Sequence, residues 1–346
     1  MLPYISILIF LMLWIIIEKE AINRKSFWIP LFTLSTFSGI RSYRVGTDSW
    51  AYTKPFRDNI SVYNYSFNEN VEYGYQLFEY ILLNSTHNYF WVFFISTAFI
   101  TSIYIKTIKD YSSSYLLAMY FFITLGSYTF GFNVLRQAIA ISICLLSLPY
   151  LLNRKFLKFI MVILLACLFH ISAIIFIPFY FIVHLRVKII YKIFITFFSS
   201  FALSRLFIYY LAANNPRYGL YTETYTKGNG YLTLSFYVAI IILLYAVMRI
   251  YKIKDELFIK LFTLYATGVV LVIPIALLGT DPSGPQRVIY FFTWTLILLL
   301  PLALKKINSI VISISAIIIS FIYFILTTTT FASLIPYTIN PMFKVL

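Results

Sequence analysis

Residues 307–327 have the sequence INSIVISISAIIISFIYFILT, in which no side chain is charged. A helix needs about 20 apolar residues to cross the hydrocarbon core of a bilayer, so this stretch is long enough for one crossing. The whole chain has the same character, because 61% of its 346 residues are hydrophobic and only 11% are charged. A soluble domain carries about 25% charged residues. The composition therefore predicts an integral membrane protein.

Apolar runs of this kind recur along the chain, although several are short. They predict an all-α fold, a polytopic transmembrane helix bundle of about twelve membrane segments, some of them short or re-entrant. No internal repeat and no long linker divides the sequence, so we expect a single integral membrane domain over residues 1–346. The runs are 2–17, 27–40, 89–105, 114–132, 134–152, 156–169, 171–184, 189–211, 231–248, 257–279, 288–304 and 307–327.

The formal charge of +15 is carried mainly by Lys and Arg in short breaks between the runs. Basic residues mark the cytoplasmic side of a membrane protein, so these breaks are typical of cytoplasmic loops. The other breaks then face outwards, and the largest is an extracytoplasmic loop over residues 41–88. We therefore expect the lipid bilayer as a partner and no nucleic acid. The basic breaks lie at 19–25, 106–109, 154–158, 186–192, 249–260 and 305–306.

The region 156–184 allows two interpretations. Its two runs are each short for a crossing, and together they could form one long span with His170 at mid-membrane. That alternative would place the basic residues of three later breaks outside. We favour two short, tilted or re-entrant helices that meet near His170, since irregular backbone at depth must be buried in protein or line a cavity.

Polar residues suited to phosphate or sugar binding stand in the breaks assigned to the outer face. Arginine offers a planar donor fork that matches phosphate, and histidine titrates near neutral pH. Each also has a structural interpretation: interfacial anchors for the arginines, a surface ion pair between Arg44 and Asp48, and a hydrogen-bonded structural role for His170. The candidates are Arg41, Arg44, Gly46, Thr47, Asp48, Arg136, Gln137, His170, Gln286, Arg287 and Tyr290.

The sequence contains no HExxH motif, no Cys/His metal spacing, no P-loop, no GxSxG motif and no Asp-x-Asp pair. It therefore offers no obvious magnesium site and predicts no metal and no cofactor. If phosphate leaves in a reaction, arginines have to neutralise its charge.

Four motifs, in this order, resemble the EpsG-like branch of the Wzy polysaccharide polymerases, and the resemblance covers roughly residues 30–305. One motif is weak by itself, whereas four in the same order are fairly specific. The motifs are Arg44-Val-Gly46-Thr47-Asp48 with Tyr52, Leu135-Arg136-Gln137, Phe169-His170-Ile-Ser172-Ala173, and Gln286-Arg287 with Tyr290.

The resemblance implies a metal-independent glycosyltransferase that polymerises a surface polysaccharide such as O-antigen. Such an enzyme transfers a glycan chain from undecaprenyl diphosphate onto the non-reducing end of another lipid-linked repeat unit, at the outer face of the bacterial cytoplasmic (inner) membrane. Its partners are the undecaprenyl-diphosphate-linked oligosaccharide and a chain-length regulator membrane protein. Arg136 and Arg287 would clamp the diphosphate, and His170 or Asp48 would accept the proton of the attacking hydroxyl. The substrate-binding set would be Arg41, Arg44, Gly46, Thr47, Gln137, Gln286 and Tyr290.

Two other functions in the same pathway remain open. A lipid-linked oligosaccharide flippase would carry buried charges on both sides of the midplane, whereas the candidates here are expected at one face. A membrane O-acyltransferase would also use a histidine, but its acyl donor requires access from the cytoplasm or a tunnel.

Overall fold

The computed structural model describes residues 1–214 and 230–343, and that part of the chain is helical without a β-strand. The prediction of an all-α fold is thereby confirmed. Short 3₁₀ turns at Val62–Asn64, Ile171–Phe176 and Pro285–Ile289 join some of the helices. The α-helices are α1 (Leu2–Ile22), α2 (Trp28–Gly39), α3 (Ser49–Arg57), α4 (Tyr73–Ser85), α5 (Phe90–Tyr111), α6 (Tyr115–Thr124), α7 (Ser127–Asn133), α8 (Leu135–Leu146), α9 (Leu148–Leu152), α10 (Phe156–Cys167), α11 (Ile177–His184), α12 (Ile189–Asn214), α13 (Tyr231–Ile250), α14 (Glu256–Leu277), α15 (Tyr290–Thr293), α16 (Leu296–Ile307) and α17 (Ile310–Leu326).

Fewer helices are long enough to cross a membrane than the sequence suggested. Among the described residues, six helices have the required length and hydropathy, or seven if the pair Pro285–Thr293 and Leu296–Ile307, bent by 45°, forms one span. The predicted count of about twelve is therefore not confirmed. The reason is length: α8 and α10 have 12 residues each. At a rise of about 1.5 Å per residue they reach about 18 Å, short of a hydrocarbon core of about 30 Å.

The described residues fall into two compact units. The first contains Met1–Ser147, Leu164–Ala173 and Ser309–Leu346, and the second contains Leu148–Ile163 and Ile174–Asn308. That the whole chain forms a single integral membrane domain stays a prediction.

The core of the first unit is built around α5, which packs against α2 on one side and α8 on another. Gly39, the last residue of α2, allows the close approach, because a Cβ there would lie 2.7 Å from the Phe90 ring. Helix α8 is enclosed along its length, with Leu135 to Leu145 all buried. Apolar side chains therefore lie on every face of α8, and Arg136 and Gln137 in its first turn are buried with them.

The predicted outer loop 41–88 contains two helices, α3 and α4. Helix α4 turns polar side chains inwards: Gln76 and Glu79 are buried, whereas Leu77 and Ile81 are 52% and 55% exposed. A soluble amphipathic helix has the reverse pattern. The exposed apolar face is the one expected of a segment that lies against lipid.

In the second unit, α14 packs against both α12 and α13. Gly268 in α14 meets the ring of Phe292, and a Cβ there would lie 2.0 Å from Phe292 Cγ. Only glycine allows this approach.

The chain is broken between α10 and α11, as predicted. Helix α10 ends at Cys167, and helical structure resumes in the 3₁₀ turn Ile171–Phe176 that leads into α11. The single long span through His170 is therefore not formed.

Candidate functional site

An ion pair in the first unit joins two of its distant segments. Arg136, the second residue of α8, donates from Nη1 to Oε2 of Glu72 at 2.5 Å, and the two side chains are only 9% and 13% exposed. Glu72 directly precedes α4. A charge removed from water is tolerated only when a partner and hydrogen bonds compensate for its desolvation. Glu72 therefore explains how an arginine can lie at the start of an apolar helix.

The second carboxylate oxygen of Glu72 faces the break that carries His170. Oε1 accepts the backbone N–H of Ile171 at 3.3 Å and lies 3.8 Å from His170 Nδ1. The backbone N–H of Gly74 also donates to the Leu168 carbonyl at 2.8 Å. The Glu72 carboxylate thus lies between the Arg136 guanidinium and the His170 imidazole.

The hydrogen bonds of His170 assign its tautomer. The backbone N–H of Ser172 donates to Nδ1 at 3.3 Å, and Ser172 Oγ lies 2.8 Å from the same nitrogen. Because a backbone N–H can only donate, Nδ1 accepts and the neutral ring carries its proton on Nε2. The neutral ring is therefore a hydrogen-bond donor at Nε2, whereas the sequence suggested His170 as a possible proton acceptor.

Two tyrosines border Arg136. Its Cζ lies 5.8 Å from the centroid of the Tyr75 ring, and Tyr52 is one of its hydrogen-bond partners. The two rings meet edge to face at 5.6 Å. We call Tyr52, Glu72, Tyr75, Arg136 and His170 the Arg136 cluster.

The Gly46-Thr47-Asp48 motif anchors the start of α3. Gly46 has a φ of 98°, and a Cβ there would lie 2.5 Å from Asn133 Oδ1. The Thr47 N–H donates to the same Oδ1 at 2.9 Å, and the Thr47 hydroxyl donates to Asp48 Oδ1 at 2.9 Å. The group that approaches Gly46 in the structure belongs to the end of α7. The motif thereby positions α3, which carries Tyr52 into the Arg136 cluster.

Arg41 is enclosed by protein, with 1% of its surface exposed. Its Cζ lies 3.5 Å from the centroid of Phe93 and 4.1 Å from that of Phe132. Burial lowers its pKa to about 10, so it remains protonated at neutral pH. Contact with two ring faces stabilises a desolvated cation by about 2 kcal/mol or more. These contacts give Arg41 a structural role. That Arg41 binds substrate stays a prediction.

The other candidates of the first unit divide by exposure. Arg44 is exposed and donates from Nε to the Tyr43 hydroxyl at 3.4 Å. Gln137 follows Arg136 in α8 and is 2% exposed. That either one binds substrate stays a prediction.

Gln286, Arg287 and Tyr290 belong to the second unit. Gln286 is 7% exposed, and its Nε2 donates to the Thr280 carbonyl at 2.7 Å, which organises the preceding turn. Arg287 is partly buried in the 3₁₀ turn Pro285–Ile289, and Tyr290 begins α15. A clamp that combines Arg287 with Arg136 stays a prediction.

Sequence reasoning missed Glu72. A signal was present, since an acidic residue is one means of compensating a buried arginine and the chain has only 12 Asp and Glu residues. Which of them provides it depends on the fold. Across residues 1–214 and 230–343, no group of three or more His, Cys, Asp or Glu side chains could hold a metal ion, and metal-independence stays a prediction.

Comparison with known proteins assigns the family. A family model, the EpsG family, matches residues 24–339, a range that includes all four sequence motifs. Searches of curated proteins and of solved structures give no match. Because the matched range takes in nearly the whole sequence, this chain belongs to the EpsG family.

Proposed function

We propose that this protein is a polysaccharide polymerase of the O-antigen type. It transfers a glycan chain from undecaprenyl diphosphate onto the non-reducing end of another lipid-linked repeat unit, at the outer face of the bacterial cytoplasmic membrane. Membership of the EpsG family supports the reaction class. The observation that carries the proposal is the Arg136 cluster, in which Glu72 pairs with a nearly buried guanidinium and lies 3.8 Å from the His170 ring.

Arg136 binds the diphosphate in this scheme. The planar guanidinium can form two parallel hydrogen bonds to phosphate oxygens. To do so, it exchanges its contact with Glu72 for one with the substrate. Donors held in place for developing negative charge are usually the largest catalytic contribution. His170, with its proton on Nε2, provides a second donor for the leaving diphosphate.

Glu72 then accepts the proton of the attacking hydroxyl. The bond between the anomeric carbon and the diphosphate oxygen breaks, and the leaving lipid diphosphate keeps the electron pair. The acceptor oxygen forms the new bond to the anomeric carbon, and its proton passes to the Glu72 carboxylate. The atoms balance without a further reactant. Glu72 takes the place of His170 in this scheme, because the Ser172 N–H occupies Nδ1 of the histidine. Asp48 stays the alternative proton acceptor.

The test uses the full chain in lipid nanodiscs, supplied with lipid-linked repeat units, with chain length followed on a gel. Arg136→Lys keeps the charge but loses the planar fork, and we expect the polymerisation rate to fall by about 10²–10³-fold. Arg186→Lys is the matched control, because Arg186 is exposed and lies outside the cluster. Normal polymer from a well-folded Arg136→Lys protein would remove Arg136 from the mechanism.

A gene deletion separates the polymerase from its rivals. Loss of a polymerase leaves one repeat unit on the surface carrier, whereas loss of a flippase leaves none. Loss of an O-acyltransferase leaves full-length chains without acyl groups. Either of the last two outcomes would overturn the proposed function.

A further inference from the structure

A pocket of about 240 Å³ opens in the segment between α3 and the polar face of α4. Gln76 and Glu79 form its buried part, and they are 3% and 9% exposed. Asn64 and Asn68 line its exposed part. The pocket lies within the first unit and contains none of the residues singled out from the sequence.

The wall of the pocket is held by side-chain hydrogen bonds. Gln76 Nε2 donates to the carbonyls of Val71 at 2.7 Å and Asn68 at 2.9 Å. Gln76 Oε1 accepts the Asn68 N–H at 2.7 Å. Three bonds from one buried amide fix residues 68–71 against α4, so this wall is a built surface and not a loose loop.

Glu79 brings a carboxylate to the buried part of the pocket. Its Oε2 accepts the Tyr65 hydroxyl at 2.7 Å. A carboxylate has about four acceptor positions, so Tyr65 and Tyr75, the two tyrosines that interact with it, do not exhaust them. The remaining positions suit the hydroxyl groups of a ligand.

Aromatic rings accompany these polar groups. Tyr65 contacts Phe67 edge to face at 5.4 Å and Tyr80 at 5.8 Å. Phe67 is 46% exposed. Of these three rings, that of Tyr65 lines the pocket. A sugar ring has apolar C–H faces and a rim of hydroxyls, so it matches a site that combines an aromatic ring with amides and a carboxylate. The volume is below the roughly 300–1,000 Å³ of pockets that enclose drug-sized molecules, which limits the occupant to about one ring.

We propose that this pocket binds one sugar ring of the lipid-linked glycan, with Glu79 and the neighbouring amides bonding its hydroxyls. This inference rests on the proposed function, and it adds a saccharide site to the diphosphate site. The two sites adjoin along α4, since Val71 lines the pocket and Glu72 follows it. The rise from Glu72 to Gln76 is about 6 Å. The ring is either the sugar attached to the donor diphosphate or the terminal sugar of the acceptor.

The chemistry of the pocket excludes an acyl chain as its occupant. A buried carboxylate would lose hydration against hydrocarbon without gaining a hydrogen bond. Hydroxyl groups of a sugar replace the lost water directly. The polar floor therefore separates this pocket from the apolar outer face of α4, which lipid can cover.

The experiment measures binding of two probes to the full chain in nanodiscs. One is undecaprenyl diphosphate carrying a single repeat unit, and the other is undecaprenyl diphosphate without sugar. Ser66→Trp fills the pocket from an exposed lining position. We expect it to weaken binding of the sugar-bearing probe by about tenfold, while binding of the bare diphosphate lipid is unchanged. Ser61→Trp is the control, because Ser61 is exposed and does not line the pocket.

Glu79→Gln tests the carboxylate with little change of shape, since Tyr65 can donate to the new amide oxygen. We expect a smaller effect in the same direction, about threefold to tenfold. Wild-type affinity for the sugar-bearing probe in both Ser66→Trp and Glu79→Gln would overturn the saccharide site. Failure of the proposed function has a different signature, namely unchanged binding of the bare diphosphate lipid in Arg136→Lys.

Discussion

Removal of either partner of the Arg136–Glu72 pair tests whether this contact holds the first unit together. The two side chains are 9% and 13% exposed, so each charge would remain largely desolvated without the other. Loss of one partner of a buried pair costs about 3–5 kcal/mol, and the partial exposure favours the lower end, about 3 kcal/mol. Glu72→Leu and Arg136→Met should each lower the Tm by about 3–6 °C, at about 1–2 °C per kcal/mol for a chain of this length.

The double variant Glu72→Leu/Arg136→Met should be more stable than either single variant, because apolar replacement of both partners leaves no unpaired charge. Thermal unfolding of all four proteins in one detergent measures this coupling. Glu20→Leu is the control: Glu20 lies 3.9 Å from Lys19, and both side chains are exposed, so its loss should cost less than about 1 kcal/mol. If the loss of Tm in the double variant equals the sum of the two single losses, the two charges are not coupled and the stated energy of the pair is wrong.

Three further predictions concern the same unit. Gly46→Ala should reduce the yield of monodisperse protein in size-exclusion chromatography, because φ is 98° and Asn133 leaves no room for a Cβ. Gly131→Ala is the control and should be tolerated, because the nearest atom to its new Cβ would lie at 3.4 Å. Ser172→Ala should shift the pH profile of polymerisation, since the Ser172 hydroxyl lies 2.8 Å from His170 Nδ1; an unchanged profile would exclude its influence on the ring. Burial raises the pKa of Glu79, so the folded state holds this proton more tightly and loses stability as the pH rises from the ordinary carboxyl range through the raised pKa. Glu79→Gln should therefore flatten the fall of Tm with pH over that window, and identical slopes would contradict the assignment.

Composition and periodicity were sufficient for the fold class and for the break beside His170. They could not predict the number of membrane crossings. An apolar run shows that a helix is shielded from water, but it does not show whether lipid or protein shields it. Helix α8 illustrates this limit: 11 of its 12 residues are buried, and most of them are as apolar as the residues of a lipid-facing span.

The motifs located the Arg136 cluster in part. Arg136 and His170 were identified from residue type and position, since each stood at the edge of an apolar run. Glu72 escaped because its contact with Arg136 spans 64 positions, and no local pattern encodes such a pairing. Arg41 stands in a predicted outer loop, and its enclosure by Phe93 and Phe132 was equally beyond any local pattern. Gly46 was selected as a substrate-binding candidate, and in the structure the group that approaches it is the end of α7.

Helix α4 has one face of Leu77 and Ile81 turned outwards and another of Gln76 and Glu79 turned inwards. Under the proposed function, this arrangement sets the level at which chemistry takes place. A substrate held by a polyprenyl tail travels in two dimensions, with its diphosphate at the depth of the phospholipid headgroups. With α4 at that same depth, the lipid-linked substrate would reach Arg136 and the saccharide pocket by lateral diffusion within the leaflet. The substrate would not have to move out of the membrane into water.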